Sequence, residues 1–242
     1  MRHPVPGPHE FKASLLAALN PMLAAEFIPK LTYLDVRERG EVVRLMMAET
    51  GTNFNERRIS ISDWPSVKSN FTIAQLPIYE EGDTFLNDVS DIYRYVARKL
   101  KLLGKSSVEF ERCERAHDLL FAAQETLFNF YWDPSFEEKR SHFQQTELVD
   151  LLSGLTHFYY SNSCESGYWV GDEVTYIDLF AFHVLDSIRP LSASTLDQFE
   201  SLCQFKQSIE SRPRVNEYLS SNRRPSLLTL PLAYFGTTEQ TS

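Results

Sequence analysis

The sequence predicts an α/β unit followed by an all-helical unit in a chain of 242 residues. Two observations predict it. From Lys30 to Leu100, short β-type runs alternate with amphipathic helical runs, the pattern of an α/β layer structure. Beyond the linker-like Leu103-Gly104-Lys105-Ser106-Ser107 the strand signals stop and only helical periodicity remains. The length allows two ordinary domains. The boundaries read as an extension over 1–28, an α/β domain over 29–103, a helical domain over 108–225 and a tail over 226–242.

Each element has a local reason. The first 28 residues carry prolines at 4, 6 and 8 and read as a loose tail or an extra amphipathic helix. Lys30 to Leu34 reads as a short strand. Arg39 to Glu49 sets Val42, Val43, Leu45, Met46 and Met47 among charges, a helix with one buried face, and Gly51 stops it. Phe54 to Ile61 reads as a second strand, followed by a loop with Asp63-Trp64-Pro65. Leu76 to Tyr79 and Phe85-Leu86 read as two more strands around the turn Glu81-Gly82-Asp83. Asp88 is a natural N-cap for a helix to Leu100. Helices are then expected over Glu109–Trp132, Glu137–Tyr160, Thr175–Ser187, Thr195–Ser208 and Arg212–Leu219. Thr175-Tyr176-Ile177-Asp178 resembles a capping box with Asp in place of the usual Glu, which we read as structural.

Composition narrows the function classes. A net charge of −9 argues against a nucleic-acid partner, because phosphate binders need a basic face. No run approaches the roughly 18 apolar residues of a membrane span. Cys113, Cys164 and Cys203 are scattered, with no C-x-x-C, so neither a disulfide framework nor a metal site is expected and a reducing compartment fits. The N-terminus lacks the clean apolar core of a secretory signal, which points to the cytoplasm, with organelle targeting by the extension as the lesser alternative.

Several separated motifs, in order, carry a resemblance. Lys30-Leu31-Thr32-Tyr33-Leu34-Asp35 is followed by Arg37-Glu38-Arg39-Gly40-Glu41. Arg58-Ile59-Ser60 leads through Asp63-Trp64-Pro65 to Lys68. Gln75-Leu76-Pro77 precedes the third strand, and Asp88-Val89-Ser90-Asp91-Ile92-Tyr93-Arg94-Tyr95 opens the second helix. From about Lys30 to Pro225 the chain resembles the cytosolic glutathione transferases. It is most similar to the sigma class, with its helminth enzymes and prostaglandin-D-type isomerases. The resemblance implies a thioredoxin-like first domain, a helix-bundle second domain and a homodimer. It also implies glutathione as co-substrate, no metal, and apolar electrophiles as second substrates.

The resemblance also assigns roles. Tyr33, at the carboxyl end of the first strand where open α/β sheets place their ligands, would donate its hydroxyl to the glutathione sulfur. A thiol near pKa ~8.5 is mostly protonated at neutral pH, and a hydrogen bond to the thiolate lowers that value. Without the resemblance Tyr33 is an ordinary half-buried strand aromatic. Arg39 would border the thiol. Trp64 and Lys68 would hold the glycyl end, and Gln75 would add a contact there. Leu76, before a cis Pro77, would present its backbone to the cysteinyl part.

Two features depart from the family pattern. Asp88 stands where Gln or Glu is usual, and Val89 where serine holds the γ-glutamyl carboxylate at a helix N-terminus. Loss of that hydroxyl costs roughly 1.5–3 kcal/mol of binding. In the long helix, Ala123, Gln124 and Glu125 stand near where sigma enzymes place acids that reach the partner subunit's glutathione. Leu34, Leu127 and Tyr131 are candidates for a second-substrate pocket or for plain core, and the apolar tail from Leu227 to Phe235 would cover it. The expected activity is conjugation. A glutathione-dependent isomerase and a non-catalytic ligand-binding or structural descendant are the alternatives.

Overall fold

The structure, a computed structural model, describes residues 28–70 and 75–235. Nearly all of the extension expected over 1–28 lies outside the described residues. Strand β1 (Lys30–Leu34) leads through a tight helical turn at Glu38–Gly40 into α1 (Glu41–Thr50). Gly51 closes α1 at φ 66°, a left-handed conformation that glycine adopts at little cost. There follow β2 (Asn55–Ile59), the one-turn α2 (Trp64–Val67), β3 (Ile78–Glu81), β4 (Thr84–Leu86) and α3 (Val89–Lys99). The expected loop at Asp63-Trp64-Pro65 is thus a helical turn. Pro65 sits in its first turn, where a missing N–H leaves no bond unmade.

The sheet is mixed, in the order β2-β1-β3-β4. β1 pairs in parallel with β2, Leu34 opposite Ile59, and antiparallel with β3, Thr32 opposite Ile78. β4 returns along β3 with Leu86 opposite Tyr79. This topology places four chain segments at one edge of the sheet: the ends of β1, β2 and β4 and the start of β3. The edge therefore gathers Tyr33, the segment from Ser60 to Lys68, the cis Leu76–Pro77 bond and the Asp88–Val89 helix start.

The helical unit comprises α4 (Ser107–Tyr131), α5 (Phe136–Gln145), α6 (Glu147–Tyr160), α7 (Tyr176–Ile188), α8 (Ala193–Leu196), α9 (Glu200–Glu210) and α10 (Pro213–Leu219). Two expected helices are each two. The run Glu137–Tyr160 breaks at Thr146, whose hydroxyl donates back to His142 O at 2.8 Å while its backbone leaves the helical region. Phe143 stacks on Phe130 at 3.9 Å between ring centres, which fixes α5 against the end of α4. The run Thr195–Ser208 breaks after Leu196, where Asp197 turns to Arg189 at 2.8 Å.

Helix α7 is buried along nearly its whole length and packs against α1, α4 and α9, so it is the spine joining both units. Its start is pinned by Asp178, which accepts from the Thr175 N–H at 2.7 Å and the Trp169 N–H at 2.8 Å. That agrees with the structural reading of the Thr175 to Asp178 motif. The fold is the α/β thioredoxin-like layer followed by a helix bundle that the sequence predicts.

Candidate functional site

Tyr33 is 3 % exposed, and its ring lies over Gly40, where an added Cβ would come 2.7 Å from Cδ1. Its hydroxyl donates to Glu38 Oε2 at 3.1 Å. Burial, and secondly the Glu38 charge, push its phenol well above the usual value, which keeps the proton on oxygen. Glu38 itself is unusual. Its φ is +26°, a region that non-glycine residues rarely adopt, and its carboxylate is buried with Oε1 lacking a well-formed hydrogen bond. Burial pushes this carboxyl up to about 7.

The tail holds that turn in place. Arg37 donates through Nε to Pro225 O at 3.1 Å and through Nη2 to Ser226 O at 2.7 Å. The Arg37 and Glu38 N–H groups donate to Leu227 O and Leu228 O at 3.0 and 3.3 Å. Beneath it lies a buried charge cluster. Glu41, fully buried, accepts from Arg224 at 2.8 Å, Tyr218 at 3.0 Å and Arg44 at 3.2 Å, and Asp186 pairs with Arg224, Lys206 and Arg37. Such a cluster tolerates no loss of a partner, so the turn carrying Glu38 sits on a rigid base.

The other candidates divide by surroundings. Arg39 is turned to Glu125 of α4 rather than left open, and its carbonyl accepts from the Tyr93 hydroxyl at 2.8 Å. Trp64 is half-buried and Lys68 exposed on the turn after β2; Gln75 is exposed, Leu76 half-buried and Pro77 buried. Asp88 caps its own helix, Oδ1 accepting from the Asp91 N–H at 3.0 Å, and Val89 is buried at the first helical position. Ser90 is committed elsewhere, at 2.9 Å from His117 Nε2 on α4.

Leu34 is half-buried at the end of β1. Leu127 and Tyr131 have no exposed surface and belong to the core instead of lining an open pocket. Tyr131 donates to Ser187 O at 2.7 Å, and the tail covers it: Phe235 packs on its ring at 5.0 Å, and its carbonyl accepts from the Tyr234 N–H. The sequence reading missed Glu38, which stands in a charged helix start and is indistinguishable there from a solvated acid. Its one signal is its place five residues after Tyr33.

Among the described residues no helix is long and apolar enough to cross a membrane, and no three His, Cys, Asp or Glu residues converge as metal ligands would. All three cysteines are free thiols.

Residues 121–222 match the family model of the glutathione S-transferase C-terminal domain. The chain is 28 % identical over 213 residues to a glutathione S-transferase of the mite Tyrophagus putrescentiae, covering 85 % of this chain and 95 % of that protein. Among solved structures, a Pi-class glutathione S-transferase of Onchocerca volvulus superposes with a TM-score of 0.78 at 24 % identity, over 85 % of this chain and 99 % of that one. A sigma-class enzyme of Fasciola hepatica does so at 0.75, also at 24 % identity, over 82 % and 97 %. Equal identity to a Pi and a sigma structure leaves the expected sigma class unassigned. Residues 121–222 match the glutathione S-transferase C-terminal domain, and over most of its length the chain is similar in sequence and in fold to glutathione S-transferases.

Proposed function

We propose that this protein is a glutathione S-transferase that conjugates the glutathione thiolate to apolar electrophiles. The observation that supports it is the Tyr33 hydroxyl, a proton donor at the carboxyl end of β1 on the boundary with the helical unit. That proton is held by Glu38 in this structure; an O–H turned to a bound sulfur would stabilise the anion more than the thiol, and that difference is what counts for catalysis. Lys68, exposed after β2, would meet the glycyl carboxylate, with the half-buried Trp64 four residues before it. The cis Leu76–Pro77 segment would face the cysteinyl backbone, with Gln75 next to it, and the α3 start at Asp88 and Val89 the γ-glutamyl end. Leu34 and the tail would border the second substrate. A sigma-like character, a homodimer and a cytoplasmic location complete the reading.

A non-catalytic, ligand-carrying role is the second reading. It is favoured by Val89 in the anion-binding position and by Asp88 spending its carboxylate on its own helix. Turnover of a chromogenic aryl halide with glutathione separates the two. The transferase reading expects turnover that falls about ten- to a hundredfold in Tyr33→Phe, the worth of one hydrogen bond to a charged atom. Absence of turnover, or full activity in the variant, would falsify it.

A further inference from the structure

We propose that Glu38 is the proton acceptor that, through Tyr33, takes the thiol proton of bound glutathione. The inference rests on the transferase reading above and extends it to a residue with no assigned role. The geometry is a relay. Tyr33 already donates its only proton to Glu38 Oε2 at 3.1 Å, which leaves its oxygen lone pairs free to accept from a thiol. Glu38 holds a second buried oxygen, Oε1, that lacks a well-formed hydrogen bond, although the Leu230 backbone lies close enough to pull the carboxyl down. A carboxylate with a free lone pair in a dry site is costly unless it protonates. The chain also holds this residue at φ +26°, a backbone conformation that is costly for any residue but glycine. The anchoring contacts of Arg37 with the tail and the Glu38 N–H bond to Leu228 O maintain it.

The step balances. As the S–H proton moves to Tyr33 Oη, the original tyrosine proton moves to Glu38. The S–H and old tyrosyl O–H bonds break, and a new tyrosyl O–H and a carboxylic O–H form. Charge passes from carboxylate to sulfur, nothing is oxidised, and the new tyrosyl proton is left facing the thiolate. Glu38 returns its proton to water before the next turnover. The groups facing Glu38 allow it to work near neutrality. Burial raises its carboxyl to about 7. Against that act the Tyr33 hydroxyl from β1, the neighbouring Arg39 and the Leu230 backbone from the tail, while Glu125 from α4 reinforces the rise. Tyr93 from α3 and Arg44 from α1 close the surroundings, acting on Tyr33 and filling the space over Gly40. An acceptor near the working pH is what proton transfer requires.

The test uses the whole chain and two variants. In Glu38→Gln the amide oxygen still accepts from Tyr33, so the ring stays in place while the acceptor is lost. Glu38→Gly relieves the positive φ and is therefore expected to fold at least as well as the parent. The relay expects kcat/KM at neutral pH to fall about a hundredfold in both. It also expects the acid limb near pH 7 to vanish and the ultraviolet thiolate band of bound glutathione to emerge only at higher pH. Added formate should restore part of the rate in Glu38→Gly. If both variants keep the parental pH profile, or are faster, while Tyr33→Phe is impaired, the relay is overturned and the transferase reading stands. If Tyr33→Phe is unimpaired as well, both fall.

Discussion

Arg39 and Glu125 form a two-pronged ion pair across the two units. Arg39 Nη2 lies 2.6 and 2.9 Å from the two carboxylate oxygens and Nε lies 3.1 Å from Oε1. Both side chains are about one-third exposed, at 36 % and 31 %, so solvent screens the pair and its worth is at most about 1 kcal/mol despite ideal geometry. Arg39→Gln is expected to lower unfolding stability by about that amount in urea titration at low salt, and by less at high salt. A loss that does not shrink with salt would mean that packing of the arginine stem, not charge, ties the units together.

Gly40 sets how closely the chain passes under Tyr33. Its φ of −82° suits any residue, so a substitution acts through contact alone. A Cβ there would meet Tyr33 Cδ1 at 2.7 Å and Arg44 Nη2 at 3.1 Å. Gly40→Ala is expected to displace the tyrosine ring, costing about 1–3 kcal/mol and about tenfold or more in aryl-halide turnover through misplacement of the hydroxyl. Gly154 is the control. It lies on the exposed face of α6 with nothing within 4 Å of an added Cβ, so Gly154→Ala should stabilise by about 0.5–1 kcal/mol with turnover unchanged.

His183 is buried in α7 and neither ring nitrogen has a hydrogen-bond partner in the protein. Burial above all pushes its pKa down to about 4, with Glu41 and Asp186 pulling up and Arg224 and Arg37 pulling down. The unfolded chain binds a proton there from about pH 6.5, so the unfolded state holds more protons between 6.5 and 4. Stability contributed by neutral His183 is complete above pH 6.5 and is lost as pH falls toward 4. His183→Leu removes both the orphaned nitrogens and the titration. It should match or exceed the parent at pH 8. Its advantage should then grow by up to about 1.4 kcal/mol per pH unit on acidification, read from urea titrations at several pH values. Parallel pH curves for the two proteins would refute this.

Val89 opens α3 where a hydroxyl would add a second hydrogen bond to an anion at the helix start. Val89→Ser is expected to tighten glutathione about tenfold or more in equilibrium titration. It should also cost about 1 kcal/mol of stability, because a buried branched side chain is lost. Unchanged affinity would show that the γ-glutamyl group is held elsewhere.

The sequence by itself determined the order of elements. Short β-type runs bounded by turn residues marked the strands, the three-to-four spacing of Val42, Val43, Met46 and Met47 marked α1, and Asp88 and Gly51 marked a start and a stop. These are local signals, written within a few residues of where they act. The breaks at Thr146 and after Leu196 were not legible, because apolar periodicity continues across them and the interruptions come from a back-bonded hydroxyl and a distant ion pair. The tertiary structure alone decided the chemistry around Tyr33. Whether Glu38 is a solvated surface charge or a buried acceptor depends on a tail that begins nearly 190 residues later and folds back over Arg37 and Glu38. Desolvation is a property of everything packed around a group, so no reading of its own neighbours in sequence reveals it.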